Sequence, residues 1–323
     1  MTEPLVIGID VGGTKLAGVA VRGAEVMATA VRPLRSVALD IQVVGLAREL
    51  ESSAGRPTAI GVAVPGQVDV STGVIEMAVN LAAVRLPIGA LVGAELGVPC
   101  FVEHDARAVA AWLAYQPGAA SDLAYLSVGT GISAGVIIGG RLLRGADGLA
   151  GEVGHLLADP AGPLCGCGLV GCLEAIASGP AIARAAALEL AGGTESILGP
   201  DPQPADIYLA AVAGDPLARR LVELVAHHLA AAVRGLALAY GVSRVVVGGG
   251  VTRAGLGFSV PLHAALDRER GASTLARRAL AADQLTVLDG SRPLGAMGAS
   301  AVARQGLQTP VAAPALKGEV ALR

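Results

Sequence analysis

LVIGIDVGGTKLAGVAV, residues 5–21, predicts a buried β-hairpin at the start of this chain. Two apolar runs of strand length flank a glycine pair, and glycine permits the tight turn that joins two strands. A similar layout occurs in LSVGTGISAGVII, residues 126–138, and in each segment another glycine follows six positions after the first turn glycine, Gly18 after Gly12 and Gly135 after Gly129. Two similar hairpins predict a duplicated α/β domain with a cleft between the copies. Because the chain has 45 glycines, a chance match is the alternative.

The rest of the chain alternates between strand and helix patterns, which is typical of an α/β fold. We expect strands near residues 25–31, 59–64, 101–105, 123–130 and 243–250, and helices near residues 37–53, 87–96, 105–115, 204–240 and 294–306. The predicted domains are a small one, residues 1–115, and a large one, residues 116–308, with the helix near 294–306 packing back on the first. Residues 309–323 mix proline, alanine and charge without periodicity, and we expect them to be disordered.

Composition and charge exclude several classes of protein. The 323 residues carry a formal net charge of −3, so the basic surface of a nucleic-acid-binding protein is not expected. The most apolar windows are interrupted by glycine and serine, unlike a membrane span of roughly 20 apolar residues. No basic segment followed by an apolar run opens the sequence, so no secretory signal is predicted. These features favour a cytoplasmic protein that binds neither nucleic acid nor membranes.

The segment GEVGHLLADPAGPLCGCGLVGCLE, residues 151–174, has the donors of a structural zinc site. Its spacing, H-x9-C-x-C-x4-C, offers one imidazole and three thiolates, which are the ligands of a closed tetrahedral site. These four predicted metal ligands are His155, Cys165, Cys167 and Cys172. Between the cysteines stand Gly166, Gly168 and Gly171, where we expect turns with positive φ. The alternative is a loop with three free cysteines.

Three glycine-rich turns follow predicted strands: DVGGTK at residues 10–15, GTGISAG at 129–135 and GGGV at 248–251. Backbone N–H groups in such turns bind phosphate, and Lys15 adds a positive charge to the first. Neither the P-loop pattern nor the dinucleotide pattern G-x-G-x-x-G is present. Each turn alone could be a plain tight turn, but three of them facing one cleft would make a nucleotide site.

Taken in order, DVGGTK, EHDA, GTGISAG, GEVGH, CGCGLVGCLE and GGGV closely resemble the ROK family (repressors, open reading frames and kinases), in particular its bacterial glucokinases. The zinc segment is highly specific to this family, and the glycine turns support the resemblance. The resemblance implies an actin-like, hexokinase-type (ribonuclease H-like) fold with two α/β domains. It also implies transfer of the γ-phosphoryl group of ATP, bound with Mg²⁺, to the 6-hydroxyl of a hexose in the interdomain cleft.

The resemblance assigns roles residue by residue. Asp105 matches the catalytic base, since the attacking hydroxyl must lose its proton to a group within hydrogen-bond reach. The residues that match sugar contacts are Gly66, Asn80, His104, Asp105, Glu152, His155 and Glu174. The residues that match the ATP and Mg²⁺ site are Asp10, Gly12, Gly13, Thr14, Lys15, Gly129, Thr130, Gly131, Gly248, Gly249, Gly250 and Gly298. His155 would serve twice, with one ring nitrogen on zinc and the other toward the sugar.

Two departures from the family pattern bear on the substrate. The family usually has asparagine before the catalytic aspartate, where this chain has His104, and Ser133 stands where glucokinases usually have glycine. The asparagine contacts hydroxyls near C3 and C4 of the sugar, and histidine places its hydrogen-bonding nitrogens differently. Plain glucose is therefore in doubt. The alternatives are a glucokinase that tolerates His104 and a kinase of an aminohexose altered at C3, such as kanosamine (3-amino-3-deoxyglucose).

Other functions within the family remain as alternatives. Some members are sugar-responsive repressors with a helix-turn-helix domain before the kinase-like part. Because the phosphate turn begins at Asp10, a catalytic kinase is the expectation here, with a non-catalytic sugar sensor as the alternative. Polyphosphate could replace ATP, although GGGV and Gly298 favour a nucleotide. We expect a homodimer or a higher homo-oligomer.

Overall fold

The computed structural model describes residues 3–78, 81–281 and 283–308. The chain forms two α/β units, one that runs to Ala108 and resumes at Gly295, and one that comprises Val109–Leu294. Sequence alone placed the first boundary at residue 115, whereas the division lies inside a helix. The tail beyond residue 308, for which we expected disorder, and Asn80 lie outside the described residues.

The first unit contains a five-stranded sheet in the order β3-β2-β1-β4-β8. Strands β1, β2 and β3 form an antiparallel meander, and β4 and β8 run parallel to β1. These strands are β1 (Leu5–Val11), β2 (Lys15–Arg22), β3 (Glu25–Pro33), β4 (Ala59–Val64) and β8 (Cys100–His104). A separate three-stranded antiparallel sheet comprises β5 (Gln67–Asp69), β6 (Val74–Ala78) and β7 (Ala83–Leu86).

The second unit repeats this topology in the order β11-β10-β9-β12-β13. Here β9, β10 and β11 form the antiparallel meander, and β12 and β13 run parallel to β9. These strands are β9 (Leu123–Val128), β10 (Ile132–Ile138), β11 (Arg141–Leu142), β12 (Arg244–Gly248) and β13 (Leu285–Val287). The two sheets have the same order and the same directions, as the repeated hairpin predicted.

Ten helices are present in the described part of the chain: α1 (Leu39–Ala54), α2 (Ile88–Leu96), α3 (Asp105–Ala114), α4 (Leu173–Ala177), α5 (Gly179–Ala191), α6 (Pro204–Ala213), α7 (Pro216–Tyr240), α8 (Leu256–Ala272), α9 (Thr274–Ala279) and α10 (Leu294–Gln308). The helical pattern expected over residues 204–240 is two helices. Gly214 has φ +100°, and the Asp215 side chain accepts a hydrogen bond from the Ala218 N–H, so one helix ends and the next begins there.

Helix α7 is long and apolar enough to cross a membrane by length and composition. Its apolar face belongs to the core of the second unit, where Leu221, Val225 and Leu229 are buried with β-strand residues such as Leu126. A buried core helix can have the same length and apolar composition as a membrane span, so this helix is weak evidence for a membrane protein.

Helix α10 lies directly on the first sheet. An added Cβ at Gly8 in β1 would overlap the Ala296 carbonyl oxygen, and one at Gly61 in β4 would overlap the carbonyl oxygen of Ala299. Two strand glycines therefore allow the backbone of α10 to approach the sheet closely. On the other face of this sheet, α1 and α2 bury the larger aliphatic cluster of the unit.

Candidate functional site

Polar residues meet where the parallel strands of the first sheet end. Strand β1 ends after Asp10, β4 ends two residues before Gly66, and β8 leads directly into Asp105. Asp10 pairs with Ala63 across β1 and β4, and Val64 pairs with His104 across β4 and β8. Because the carboxyl ends of parallel strands share one edge of a sheet, these predicted site residues lie on one edge.

Asp105 is the first residue of α3, and its two carboxylate oxygens differ in their surroundings. Oδ1 accepts a hydrogen bond from the Ala106 N–H at 2.6 Å and lies 3.3 Å from Nδ1 of His104. About a third of the Asp105 side chain is exposed (34%), whereas His104 is buried. The carboxylate is thus held through one oxygen and remains partly accessible, as a general base requires.

An ion pair behind this carboxylate was missed by sequence reasoning. Glu103 and Arg107 are fully buried, with Arg107 Nε 2.8 Å from Glu103 Oε1. The same oxygen accepts the His104 N–H at 2.9 Å. The pair spans the junction of β8 and α3 and fixes the turn that presents His104 and Asp105. The spacing of four residues between Glu103 and Arg107 was a sequence signal for an ion pair, but only the burial of both side chains shows that the pair is structural.

The first glycine turn is tight, and its tip is exposed. The Gly12 N–H donates to the Lys15 carbonyl at 2.9 Å, and Gly13, Thr14 and Lys15 are exposed. Neither Gly12 nor Gly13 has a positive φ, so this turn does not require a left-handed backbone at either glycine. Without side chains, these two glycines leave the backbone of the turn uncovered, as the proposed approach of an anion requires.

Asp10, just before that turn, has a perturbed carboxyl group. Burial, and then the negative charge of Asp105, raise its pKa to about 7, while the Lys15 ammonium acts in the opposite direction. The start of α10 packs on this carboxyl, and an added Cβ at Gly295 would overlap it. Sequence reasoning chose Gly298, which is buried in α10 one turn later, and missed Gly295.

In the second unit, two glycine turns lie side by side at the ends of the neighbouring strands β9 and β12. The Gly129 N–H donates to the Gly131 carbonyl at 2.9 Å, which closes the first turn and leaves Thr130 exposed. Gly249 has φ +109°, and an added Cβ there would overlap the Val128 carbonyl. An added Cβ at Gly129 would be 3.6 Å from the Gly250 nitrogen. The predicted nucleotide residues Gly129–Gly131 and Gly248–Gly250 therefore lie next to each other.

The four predicted metal ligands form one cluster. Their donor atoms all lie within 4.8 Å of one another, in the set His155, Cys165, Cys167 and Cys172. His155 Nδ1 lies 3.7 Å from Cys165 Sγ, and Cys167 Sγ lies 3.6 Å from Cys172 Sγ. Three sulfurs and one imidazole nitrogen at these separations fit a four-coordinate zinc ion. Since Nδ1 faces the sulfurs, Nε2 is the nitrogen that zinc would leave for another partner.

In the absence of metal, the surroundings of Cys172 and Cys167 shift the pKa values of their thiols in opposite directions. Burial raises the pKa of the Cys172 thiol to about 12, whereas the Leu169 N–H lowers that of the exposed Cys167. A metal cation bound by the cluster would favour the thiolate form of Cys172.

Backbone turns shape the zinc segment as the sequence predicted, with one exception. Gly168 and Gly171 have φ of +91° and +77°. An added Cβ at Gly171 would overlap the Asp159 carbonyl, so no larger residue fits. The prediction for Gly166 was wrong, because its φ is not positive and no atom lies within 4 Å of an added Cβ.

The flanking carboxylates connect the zinc segment to a glycine turn. Glu152 precedes the 3-10 turn Val153–His155, and its carbonyl accepts the His155 N–H at 3.1 Å. Glu174, in the first turn of α4, accepts the Ile132 N–H through Oε2 at 2.8 Å. Its carboxylate thus contacts the residue that follows Gly131, and the zinc segment is joined to the turn.

A comparison with protein families matches residues 6–305 to the ROK family. The chain belongs to the ROK family. An N-acetylmannosamine kinase from Escherichia coli O157:H7 is 37% identical over 261 residues, which cover 76% of this ROK chain and 82% of that protein. The family predicted from the motifs is confirmed, and relatives of the chain are sugar kinases.

Solved structures confirm the fold class. A ROK hexokinase from Thermus thermophilus has a TM-score of 0.78 and 33% identity, covering 94% of this chain and 99% of that one. A ROK family glucokinase from Streptomyces griseus, solved with glucose and AMPPNP, has a TM-score of 0.77 and 30% identity, covering 94% and 100%. The ROK chain therefore has the actin-like fold of these kinases, with two α/β units of the same sheet topology.

Proposed function

We propose that this ROK chain transfers the γ-phosphoryl group of ATP to the 6-hydroxyl of a hexose. The observation that carries the proposal is the partly exposed carboxylate of Asp105, held through one oxygen at the carboxyl end of β8. The proton of the 6-hydroxyl passes to Asp105 as the sugar oxygen bonds to the γ-phosphorus. The bond from the γ-phosphorus to the bridging oxygen of ADP breaks, and ADP leaves.

The donor site is proposed from the glycine turns and Asp10. Gly12–Lys15, Gly129–Gly131 and Gly248–Gly250 present short backbone segments that suit phosphates and a nucleoside, and Gly298 is proposed near the adenosine. Mg²⁺ bound with ATP would neutralise charge on the phosphates. The Asp10 carboxyl is proposed to face such a cation, because carboxylate oxygens are ligands that Mg²⁺ prefers and Asp10 directly precedes the first glycine turn.

The acceptor site is proposed from the residues that match sugar contacts in the ROK pattern. These residues, which would bind sugar hydroxyls, are Gly66, Asn80, His104, Asp105, Glu152, His155 and Glu174. Zinc on the four-ligand cluster would be structural, since all four positions are filled by protein. By fixing Nδ1 of His155, the metal would orient Nε2 toward the sugar.

A second candidate substrate is N-acetylmannosamine. The 37% identity to an N-acetylmannosamine kinase favours it, while His104 keeps glucose and 3-amino-3-deoxyglucose as candidates. We further propose that the protein is cytoplasmic, forms a homodimer or a higher homo-oligomer, and binds neither nucleic acid nor membranes.

A coupled assay tests the proposal. ADP release would be measured with glucose, N-acetylmannosamine and 3-amino-3-deoxyglucose, with ATP as donor, and sugar phosphate would be measured with polyphosphate. We expect ATP-dependent turnover of at least one sugar, with loss of turnover in Asp105→Asn. Binding of sugar without turnover under any donor would instead indicate the sugar-sensing regulator.

A further inference from the structure

We infer that Glu103 is a positioning residue, whose buried carboxylate fixes the backbone on both sides of the catalytic base. This inference rests on the proposed function. Oε1 of Glu103 accepts a hydrogen bond from the His104 N–H at 2.9 Å and a second one from Nε of Arg107 at 2.8 Å. His104 directly precedes Asp105, and Arg107 follows it by two residues. One oxygen atom therefore ties together the residues that flank the proposed base.

The Glu103 carboxylate takes the place of a neighbouring strand at this junction. Strand β8 ends at His104 and α3 begins at Asp105, so no loop residue separates the strand from the helix. Strand β8 lies at the edge of its sheet, and the acceptor of the His104 N–H is a side chain rather than the backbone of a further strand. Glu103 thus fixes the last backbone donor of the strand at the point where the chain turns into the helix.

Stability alone does not account for an ion pair at this place. Glu103 and Arg107 are both fully buried. Burial removes the hydration of both charges, and this cost offsets much of their attraction, so apolar side chains of similar volume often give equal or higher stability. Apolar side chains cannot, however, accept the His104 N–H. Acceptance of this backbone hydrogen bond beside the base is therefore the property that distinguishes positioning from packing.

The position of this backbone matters for the proposed proton transfer. Oδ1 of Asp105 accepts the Ala106 N–H at 2.6 Å, so the direction of the carboxylate follows the backbone at the start of α3. A general base must lie within hydrogen-bond reach of the hydroxyl whose proton it takes. A misplacement of about 1 Å in a catalytic group can lower the rate about 100-fold. Release of the His104 N–H should therefore lower kcat more than it weakens sugar binding.

Two double variants that differ in a single acceptor test the inference. Both contain Arg107→Met, which avoids an unpaired buried charge, together with either Glu103→Gln or Glu103→Met. Glutamine keeps an oxygen that can accept the His104 N–H, whereas methionine has a similar unbranched shape without one. We expect kcat to be at least about tenfold lower with Glu103→Met than with Glu103→Gln, and the Kd for sugar to change less than kcat. The matched control replaces a second ion pair, in Arg234→Met/Glu269→Met, and should keep the wild-type kcat.

Hydrogen exchange of the His104 backbone amide does not depend on turnover. A hydrogen-bonded amide in a buried junction exchanges slowly with solvent, and ¹H–¹⁵N spectra follow it residue by residue. We expect this amide to be protected in wild type and in the double variant with Glu103→Gln, and to exchange faster in the one with Glu103→Met. Rapid exchange of the His104 amide in wild type would overturn the inference, whether or not the double variants fold.

The outcomes separate the positioning role from the proposed reaction. Equal kcat in the two double variants, measured below the melting temperatures of both, would show that catalysis does not use the acceptor at position 103 and would overturn the inference. Absence of turnover by wild type with every sugar and donor, while the His104 amide is protected, would instead overturn the proposed reaction.

Discussion

At the scale of single residues, the carboxylate at the start of α3 is the group on which the proposed reaction depends. Asp105 was chosen from its motif, and the structure shows how it is held. Its carboxylate accepts a hydrogen bond from the N–H of the next residue, Ala106, whereas a helix N-cap accepts from a residue two or three positions later and is worth about 1 kcal/mol. A purely structural capping residue would need neither the partial exposure of the Asp105 side chain nor a second carboxyl, that of Asp10, near it.

Asp105→Asn tests the base. We expect kcat to fall by roughly 10²–10⁴-fold, because the amide cannot accept the hydroxyl proton, while the sugar still binds. Single-turnover kinetics and sugar titration by calorimetry separate the two effects. A kcat close to that of wild type would show that another group takes the proton.

Asp10 makes stability depend on pH. Its pKa is raised from 3.8 to about 7, so the folded state holds this proton more strongly than the unfolded state. The resulting stabilisation is complete below pH 3.8 and is lost as the pH rises through about 7. Asp10→Asn, which never ionises, should therefore become more stable relative to wild type between pH 4 and pH 8. Urea unfolding without nucleotide or Mg²⁺ measures this, and a difference that does not change with pH would contradict it.

At the scale of elements, the zinc segment and the second glycine turn form one assembly. Gly131 has no side chain, Glu174 occupies the space beside it, and the Ile132 N–H bonds that carboxylate. The predicted metal ligand Cys172 lies two residues before Glu174. A change in either the metal cluster or the turn should therefore reach the proposed sugar site.

Cys165→Ser tests the metal cluster. We expect loss of about one zinc per chain, a lower melting temperature and weaker sugar binding, because structural zinc contributes directly to folding. Cys100→Ser is the control, since Cys100 lies in β8 outside the cluster and should leave zinc content unchanged. Elemental analysis that finds no zinc in active wild-type protein would refute the zinc site.

Gly131→Ala tests the connection between turn and carboxylate. The added Cβ would lie 2.7 Å from Glu174 Oε2, so the carboxylate must move. We expect the Kd for sugar to rise several-fold with little loss of thermal stability. Gly235→Ala on the exposed face of α7, where no atom lies within 4 Å, is the control and should leave sugar binding unchanged. Equal sugar binding by both variants would show that binding of the sugar does not depend on the present position of the Glu174 carboxylate.

At the scale of the whole molecule, the last helix of the described chain packs on the sheet formed by its first strands. Helix α10 follows the strands of the second unit, yet it packs on β1 and β4 of the first. The first unit therefore cannot bury this face of its sheet until the helix near the end of the chain is made.

Gly61→Ala tests this packing. The methyl group would overlap the Ala299 carbonyl, and we expect the free energy of unfolding to fall by about 1–3 kcal/mol or more, as for an overpacked core. Gly45→Ala in α1 is the control, since it meets no atom within 4 Å and should gain roughly 0.5–1 kcal/mol. Chemical unfolding of both variants measures the difference, and equal stability would contradict close packing of α10 on β4.

Sequence by itself determined the features that are encoded locally. The two glycine hairpins, the alternation of strands and helices, the clustering of the four His and Cys residues and the family follow from spacing along the chain, because turn chemistry and the grouping of side chains in one segment depend on residues close in sequence. Only the tertiary structure decided which residues oppose each other. The close approach of Gly295 to Asp10, the contact of Glu174 with Ile132, and the hydrogen bond of the Ala106 N–H to Asp105 Oδ1 arise from packing between elements or from side-chain direction at a buried junction. Those distances depend on the three-dimensional fold, and spacing in the sequence does not contain them.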